Sequence, residues 1–122
     1  MTPEPITTDT NAEGVPMTTI REITVDQLAA VRRDVDPTLV LDVRGRAEYA
    51  AGHVPGALNI PLDELPDRLE ELRGSERVAA ICRSGRRSIE AAEALVAAGF
   101  DAVSVAGGTT AWTATGRPTR VD

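Results

Sequence analysis

Two short runs, Thr38-Leu39-Val40-Leu41-Asp42-Val43 and Val78-Ala79-Ala80-Ile81, constrain the fold more than any other part of the chain. Each is apolar at consecutive positions, so a strand built from it has no face to turn to water and must be covered on both sides. That is the place of an interior strand in a parallel sheet. The flanking segments carry helical signals. Thr24, with Gln27 three residues on, forms a capping-box pattern that starts a helix through Leu28 and Val31, ended by Asp36-Pro37. Arg46 to Ala51 reads as a short helix closed by Gly52. Leu62, Leu65, Leu69 and Leu72 recur at helical spacing, and Pro66 is tolerable only in a first turn. That predicts a helix from Leu65 to Arg73, stopped by Gly74. Arg87 to Ala98 predicts a longer helix that buries Ile89, Ala92, Leu95 and Val96. Arg21-Glu22-Ile23, Ala57-Leu58-Asn59-Ile60 and Ala102-Val103-Ser104-Val105 complete the strands, and Gly107-Gly108 opens a last helical segment around Trp112.

Strands and helices alternate, which predicts an α/β fold: a central, mostly parallel five-stranded sheet with right-handed crossovers and helices on both faces. The 122 residues suffice for one compact core, and with 2% aromatic residues that core must come from Val, Leu, Ile and Ala. Residues 1–18 hold three prolines, several acids and no periodic apolar pattern. They read as a disordered acidic N-terminal tail, leaving 19–122 as the folded domain.

Ligands of such sheets bind beyond the carboxyl ends of the strands, where Asp42-Val43-Arg44, Cys82 and Ala106-Gly107-Gly108 all fall. Cys82, the only cysteine, opens the stretch Cys82-Arg83-Ser84-Gly85-Arg86-Arg87-Ser88 between a strand and a helix. A helix start presents unpaired N–H groups and the positive end of its dipole, both favourable to an anion. Gly85 lets successive amides turn inward as a nest, and Arg83, Arg86 and Arg87 add positive charge. The expectation is a thiol that ionises easily, a nucleophile in an anion-binding cradle. A lone cysteine is more simply an inert core residue, but such a residue has no need of the glycine and arginines that follow. Two consecutive arginines at the wrong end of a helix for cations point to an anionic ligand or a charged neighbour.

The net charge of -6 argues against nucleic acid or an anionic membrane surface as partner. One cysteine and one histidine provide neither an internal disulfide nor a four-ligand zinc set, so no metal is expected. No apolar run approaches the roughly 18 residues of a membrane span. The N-terminus lacks the pattern of a secretory signal. A reducing, cytoplasmic location is expected.

Four motifs then appear in order: Leu41-Asp42-Val43-Arg44 with Glu48-Tyr49; Gly52-His53-Val54-Pro55-Gly56-Ala57-Leu58-Asn59-Ile60-Pro61; the Cys82 loop; and Gly107-Gly108 through Ala111-Trp112 to Gly116-Arg117-Pro118. In these the chain resembles the single-domain rhodaneses, a family of sulfurtransferases. The resemblance implies a rhodanese-like fold and a persulfide cycle needing no cofactor. Cys82 would take sulfur from a small anionic donor such as thiosulfate and hand it to cyanide or a thiol acceptor, including a thioredoxin-like or sulfur-carrier protein. Arg83, Ser84, Gly85, Arg86, Arg87 and Ser88 would bind the substrate. Asp42 and Arg44 read as a charge pair bracing the loop, His53 as fixing a turn, and Trp112 as a packing anchor.

Some two-domain rhodaneses that this chain resembles place a substrate-binding arginine just before the aromatic residue at the Tyr49 position. Here that residue is Glu48, which leaves substrate charge to the loop arginines, chiefly Arg86 and Arg87. The loop also lacks the Cys-Gly-Ser-Gly start of mercaptopyruvate sulfurtransferases. Phosphatases and arsenate reductases of similar fold use Cys-x5-Arg, whereas Arg87 makes this chain Cys-x4-Arg. Two other readings stand beside the enzyme: a non-catalytic protein-binding module, and a sulfur carrier fed by a desulfurase.

Overall fold

A computed structural model describes residues 20–33 and 38–121. The acidic tail expected over 1–18 and the helix stop expected at Asp36-Pro37 lie outside these residues. Five strands, β1 (Glu22–Ile23), β2 (Thr38–Asp42), β3 (Leu58–Asn59), β4 (Arg77–Ile81) and β5 (Ala102–Val105), form one sheet in the order β1-β5-β4-β2-β3. Every pairing is parallel. β2 and β4 run side by side from Thr38 opposite Arg77 to Asp42 opposite Ile81. Both are interior strands, the position their two-sided apolar runs require.

Four helices, α1 (Val25–Arg33), α2 (Arg46–Ala51), α3 (Arg87–Ala97) and α4 (Gly108–Ala114), are distributed over the two faces. Alternate strand residues supply two cores. On one face Leu41, Val43, Val78 and Ala80 pack with Ala91, Ala92 and Leu95 of α3. On the other, Val40, Ala79, Ile81 and Val103 pack with Leu28 of α1 and Trp112 of α4. α1 starts as its sequence predicts: the Thr24 N–H donates to Gln27 Oε1 at 2.8 Å and the Gln27 N–H to Thr24 Oγ1 at 3.1 Å.

Two local expectations are corrected. In place of one helix from Leu65 to Arg73 there are two 3₁₀ helices, Leu62–Asp67 and Leu69–Leu72, broken at Arg68 with φ -127°. Pro66 lies inside the first; it has no N–H to give and its ring obstructs an α-helical turn, so tighter turns carry Leu65 and Leu72 into the core instead. In α3 the buried stripe is Ser88, Ala91, Ala92 and Leu95, while Val96 is 39% exposed and Ile89 half-buried. The stripe turns so that small residues meet the sheet, and this same turn brings the Ser88 hydroxyl beneath the end of β4.

Candidate active site

β4 ends at Ile81 and delivers Cys82, 1% exposed, to the floor of the loop that leads into α3. Cys82 Sγ accepts hydrogen bonds from the Gly85 N–H at 3.1 Å and the Ser88 N–H at 3.3 Å, and lies 3.5 Å from Ser88 Oγ. Ser88 is the second residue of α3, so its N–H is one that no helical carbonyl can satisfy, and the sulfur takes it. Gly85 has φ +105°, and a Cβ there would stand 3.2 Å from Gly107 N. Only glycine turns the amide inward and keeps that contact. Burial pushes the Cys82 thiol up, but the Ser88 hydroxyl and the N–H groups of Ser88, Gly85 and Ser84 outweigh it. The net effect holds the thiol below its ordinary range.

The start of α4 fixes the loop from outside. The Thr109 N–H donates to Cys82 O at 2.8 Å and the Thr110 N–H to Arg83 O at 3.0 Å, and Thr109 Oγ1 adds a bond to Cys82 O at 3.1 Å. Holding these carbonyls away from the sulfur leaves the loop's N–H groups facing it. The approach is possible because residue 108 is glycine: a Cβ there would lie 2.4 Å from Cys82 O and 2.6 Å from Arg83 O.

Beside the loop, the end of β2 is braced by a buried ion pair. Arg44 Nε donates to Asp42 Oδ1 at 2.9 Å and Arg44 Nη2 to Asp42 Oδ2 at 2.8 Å, while Nη2 also reaches Gly52 O at 2.8 Å. Asp42 is 0% and Arg44 6% exposed, so their role in the fold is to pin β2 to the end of α2. Asn59 Nδ2 donates to Asp42 O and Arg44 O, both at 3.0 Å, tying β3 into the same corner. His53 is buried, stacked on Tyr49 with centroids 3.6 Å apart, and its Nδ1 lies 2.8 Å from Tyr49 O. Its backbone exchanges two hydrogen bonds with Arg120.

The three loop arginines lie in different surroundings. Arg83 and Arg86 are exposed, and their side chains make no hydrogen bond or ion pair among the described residues. The bonds that hold the sulfur come from uncharged N–H and O–H groups of the loop. Arg87, a candidate substrate cation, forms a two-point pair with Glu48, at 2.9 Å and 3.1 Å. The Arg87 hydrogen bonds are the main reason the Glu48 carboxyl is lowered to about 2, against its burial and with help from the Gly45 N–H. The charged neighbour implied by consecutive arginines at a helix start is therefore Glu48 of α2. This pair stands between two open clefts, one of about 280 Å³ lined by Arg44, Arg83 and Thr110, the other of about 500 Å³ lined by Val43, Leu62 and Asp63.

Sequence reasoning missed Ser104, fully buried on β5, whose Oγ lies 2.8 Å from Ser88 Oγ. Its signal was a hydroxyl in a strand whose other residues are all apolar. It also missed the grip of Thr109 and Thr110 on the loop. Among the described residues, no three or more His, Cys, Asp or Glu side chains gather as a metal ion would need, and no helix is long and apolar enough to cross a membrane.

The family model of the rhodanese-like domain matches residues 24–115. The chain belongs to the rhodanese-like family. A sulfurtransferase of Allochromatium vinosum is 35% identical over 100 residues, which is 81% of this rhodanese-like chain and 94% of that protein. The HTH-type transcriptional regulator Rv0324 of Mycobacterium tuberculosis is 52% identical over 52 residues, or 43% of this chain, which spans 23% of the regulator's length. The crystal structure of a rhodanese-related protein from Thermoplasma volcanium has a TM-score of 0.74 at 32% identity, covering 84% of this chain and 99% of that one. The five-stranded parallel sheet with its covering helices is thus the rhodanese fold.

Proposed function

We propose that this protein is a sulfurtransferase that moves sulfane sulfur from thiosulfate, or a similar anionic donor, to cyanide or a thiol through a persulfide on Cys82. One observation carries the reading. The only cysteine lies on the floor of a loop whose Gly85 and Ser88 N–H groups point at its sulfur. The thiolate charge lies on Sγ, where these fixed dipoles are aimed; in the persulfide it moves one S–S bond outward and stays next to the same helix start, so both anions are stabilised without reorganisation of the loop. The Allochromatium relative bears the name sulfurtransferase.

The steps balance without a cofactor. Cys82-S⁻ attacks the outer sulfur of thiosulfate; the new S–S bond forms as the sulfur–sulfur bond of the donor breaks, and sulfite leaves with the bonding pair. Cyanide then attacks the outer sulfur of Cys82-S-S⁻, the S–S bond breaks toward Cys82, and thiocyanate departs with the thiolate restored. A nucleophile this buried suits a small terminal sulfur atom. The transferred sulfur stands about 2 Å beyond Sγ, and this presents it to the acceptor. Arg83 and Arg86, exposed and with no side-chain partner among the described residues, attract the donor and an acidic thiol acceptor, including a thioredoxin-like or sulfur-carrier protein. A cytoplasmic location would keep the thiol reduced.

The test is intact mass of the reduced protein after incubation with thiosulfate, beside Cys82→Ser. One added sulfur on the unmodified chain only, removed by cyanide with release of thiocyanate, is expected. If no adduct forms near neutral pH although Cys82 alkylates readily, thiosulfate is not the donor; if Cys82 also alkylates slowly, the binding-module reading replaces the enzyme.

A further inference from the structure

Beneath the sulfur lie two hydroxyl groups that the transfer chemistry above does not itself use. Ser88 and Ser104 are both 0% exposed, and their Oγ atoms are 2.8 Å apart, with Cys82 Sγ at 3.5 Å from Ser88 Oγ. Ser104 comes from β5, which pairs with β4 and is otherwise apolar. The only partner of its hydroxyl among the described residues is Ser88. A buried hydroxyl left without a partner for its proton loses solvation it cannot recover.

That shortage gives the chain of hydroxyls a direction. When Ser104 O–H donates to Ser88 Oγ and Ser88 O–H donates to the sulfur, every proton has an acceptor, and the acceptor at the end is a thiolate. In the opposite direction the Cys82 S–H donates to Ser88, Ser88 donates to Ser104, and the Ser104 proton has no acceptor. We propose that Ser104 is a positioning residue: by donating to Ser88 it aims the Ser88 hydroxyl at Cys82 and favours the anionic sulfur. The inference rests on Cys82 being the reactive nucleophile, and it extends that reading to a residue on a different strand.

The charged groups around the sulfur are accounted for separately. From α3 comes Arg87, attracted to the thiolate but tied to Glu48 of α2. The loop contributes exposed Arg83 and Arg86, and β2 contributes the Asp42–Arg44 pair. β5 brings no ionisable side chain of its own, so a change at Ser104 acts through hydrogen bonding.

The experiment follows iodoacetamide alkylation of Cys82 against pH in the full chain, with no sulfur donor present. A failure of the sulfur-transfer reading therefore leaves this result standing, and the reverse. Ser104→Ala should move the midpoint upward and slow alkylation below the midpoint by about three- to tenfold. In a Ser88→Ala background the same substitution should add nothing, because the hydroxyl through which Ser104 acts is gone. A purely structural Ser104 would not show that dependence. Ser104→Thr and Ser104→Val, equal in shape and different only in the hydroxyl, repeat the comparison with residues that favour strands. The first should keep the low midpoint and the second lose it. An unmoved midpoint in Ser104→Ala or Ser104→Val, or an equal shift with Ser88 already removed, overturns the proposal.

Discussion

Adding one methyl group at residue 108 tests how the active loop is held. In Gly108→Ala the new Cβ would sit 2.4 Å from Cys82 O, 2.6 Å from Arg83 O and 2.7 Å from Arg83 C. All three are backbone atoms that cannot swing aside. A carbon needs about 3.3 Å from an oxygen, so α4 and the loop must part by roughly 1 Å. At that separation the Thr109 and Thr110 N–H groups, now 2.8 and 3.0 Å from Cys82 O and Arg83 O, are out of hydrogen-bond range. Losing two bonds costs about 0.5–1.5 kcal/mol each, and holding alanine in the left-handed region adds about 1–2 kcal/mol. A stability loss of about 2–5 kcal/mol follows. The larger effect is on chemistry, since a shift of about 1 Å in a reacting group can lower the rate about a hundredfold. Gly116→Ala is the control. Its φ of +83° is further from the left-handed minimum than the +58° of Gly108, and a Cβ there meets nothing within 4 Å. It should lose stability from backbone strain alone and keep its rate. Urea unfolding and thiocyanate formation from thiosulfate and cyanide measure both effects. Equal losses in the two variants, with transfer intact in Gly108→Ala, would refute the claim that α4 positions the loop.

Three further outcomes follow from the charges. Arg44→Ala leaves the Asp42 carboxylate buried without its counter-ion and should lower the urea-derived stability by about 3–5 kcal/mol, whereas Asp42→Leu with Arg44→Met should recover most of it. Glu48, lowered to about 2 chiefly by its bonds to Arg87, stabilises the fold fully above its unfolded value of 4.5 and loses that contribution as pH falls toward 2. The stability difference between the unmodified chain and Glu48→Gln should therefore be flat above pH 4.5 and shrink below it; a difference that grows on acidification contradicts the pairing. Arg83 and Arg86 act from the solvent, so added salt should raise KM for thiosulfate, and removing both arginines should flatten that salt dependence.

The architecture was legible in the sequence because its signals are local. Strands apolar on both faces, alternating with helices, suit the interior of a parallel sheet, and Thr24 with Gln27 marks a helix start within four residues. The strand–loop–helix address of Cys82 was legible for the same reason. What the sequence hid depends on distant residues meeting. Arg87 and Glu48 are 39 positions apart, so the neutralisation of a loop arginine could be suspected from the misplaced cation but not assigned to its partner. Ser104 reaches Ser88 across 16 positions, and nothing in a four-residue strand tells whether its one hydroxyl faces another. The leucine spacing from Leu62 to Leu72 misled for a physical reason: burial needs only that leucines return to the same side, and 3₁₀ turns do this where Pro66 forbids an α-helix.

The arrangement of charge also bears on why the sulfur is held by dipoles rather than by arginine. A guanidinium in contact with the thiolate inside a buried loop would stabilise it strongly, and nucleophilicity falls as the thiol pKa falls. In the proposed cycle it would equally stabilise the sulfur as leaving group when the acceptor attacks, so the best pKa for such turnover is moderate. N–H and O–H donors opposed by burial supply such a moderate shift. Arg87, the loop cation with an electrostatic pull on Cys82, has its charge offset by Glu48. Arg83 and Arg86 face water, where their field is weak at the sulfur yet reaches an approaching anion. In the proposed transfer, capture and chemistry would then fall to different groups. A substitution at the exposed arginines should change how often a donor arrives, and one at Gly85, Ser88 or Ser104 what happens once it has.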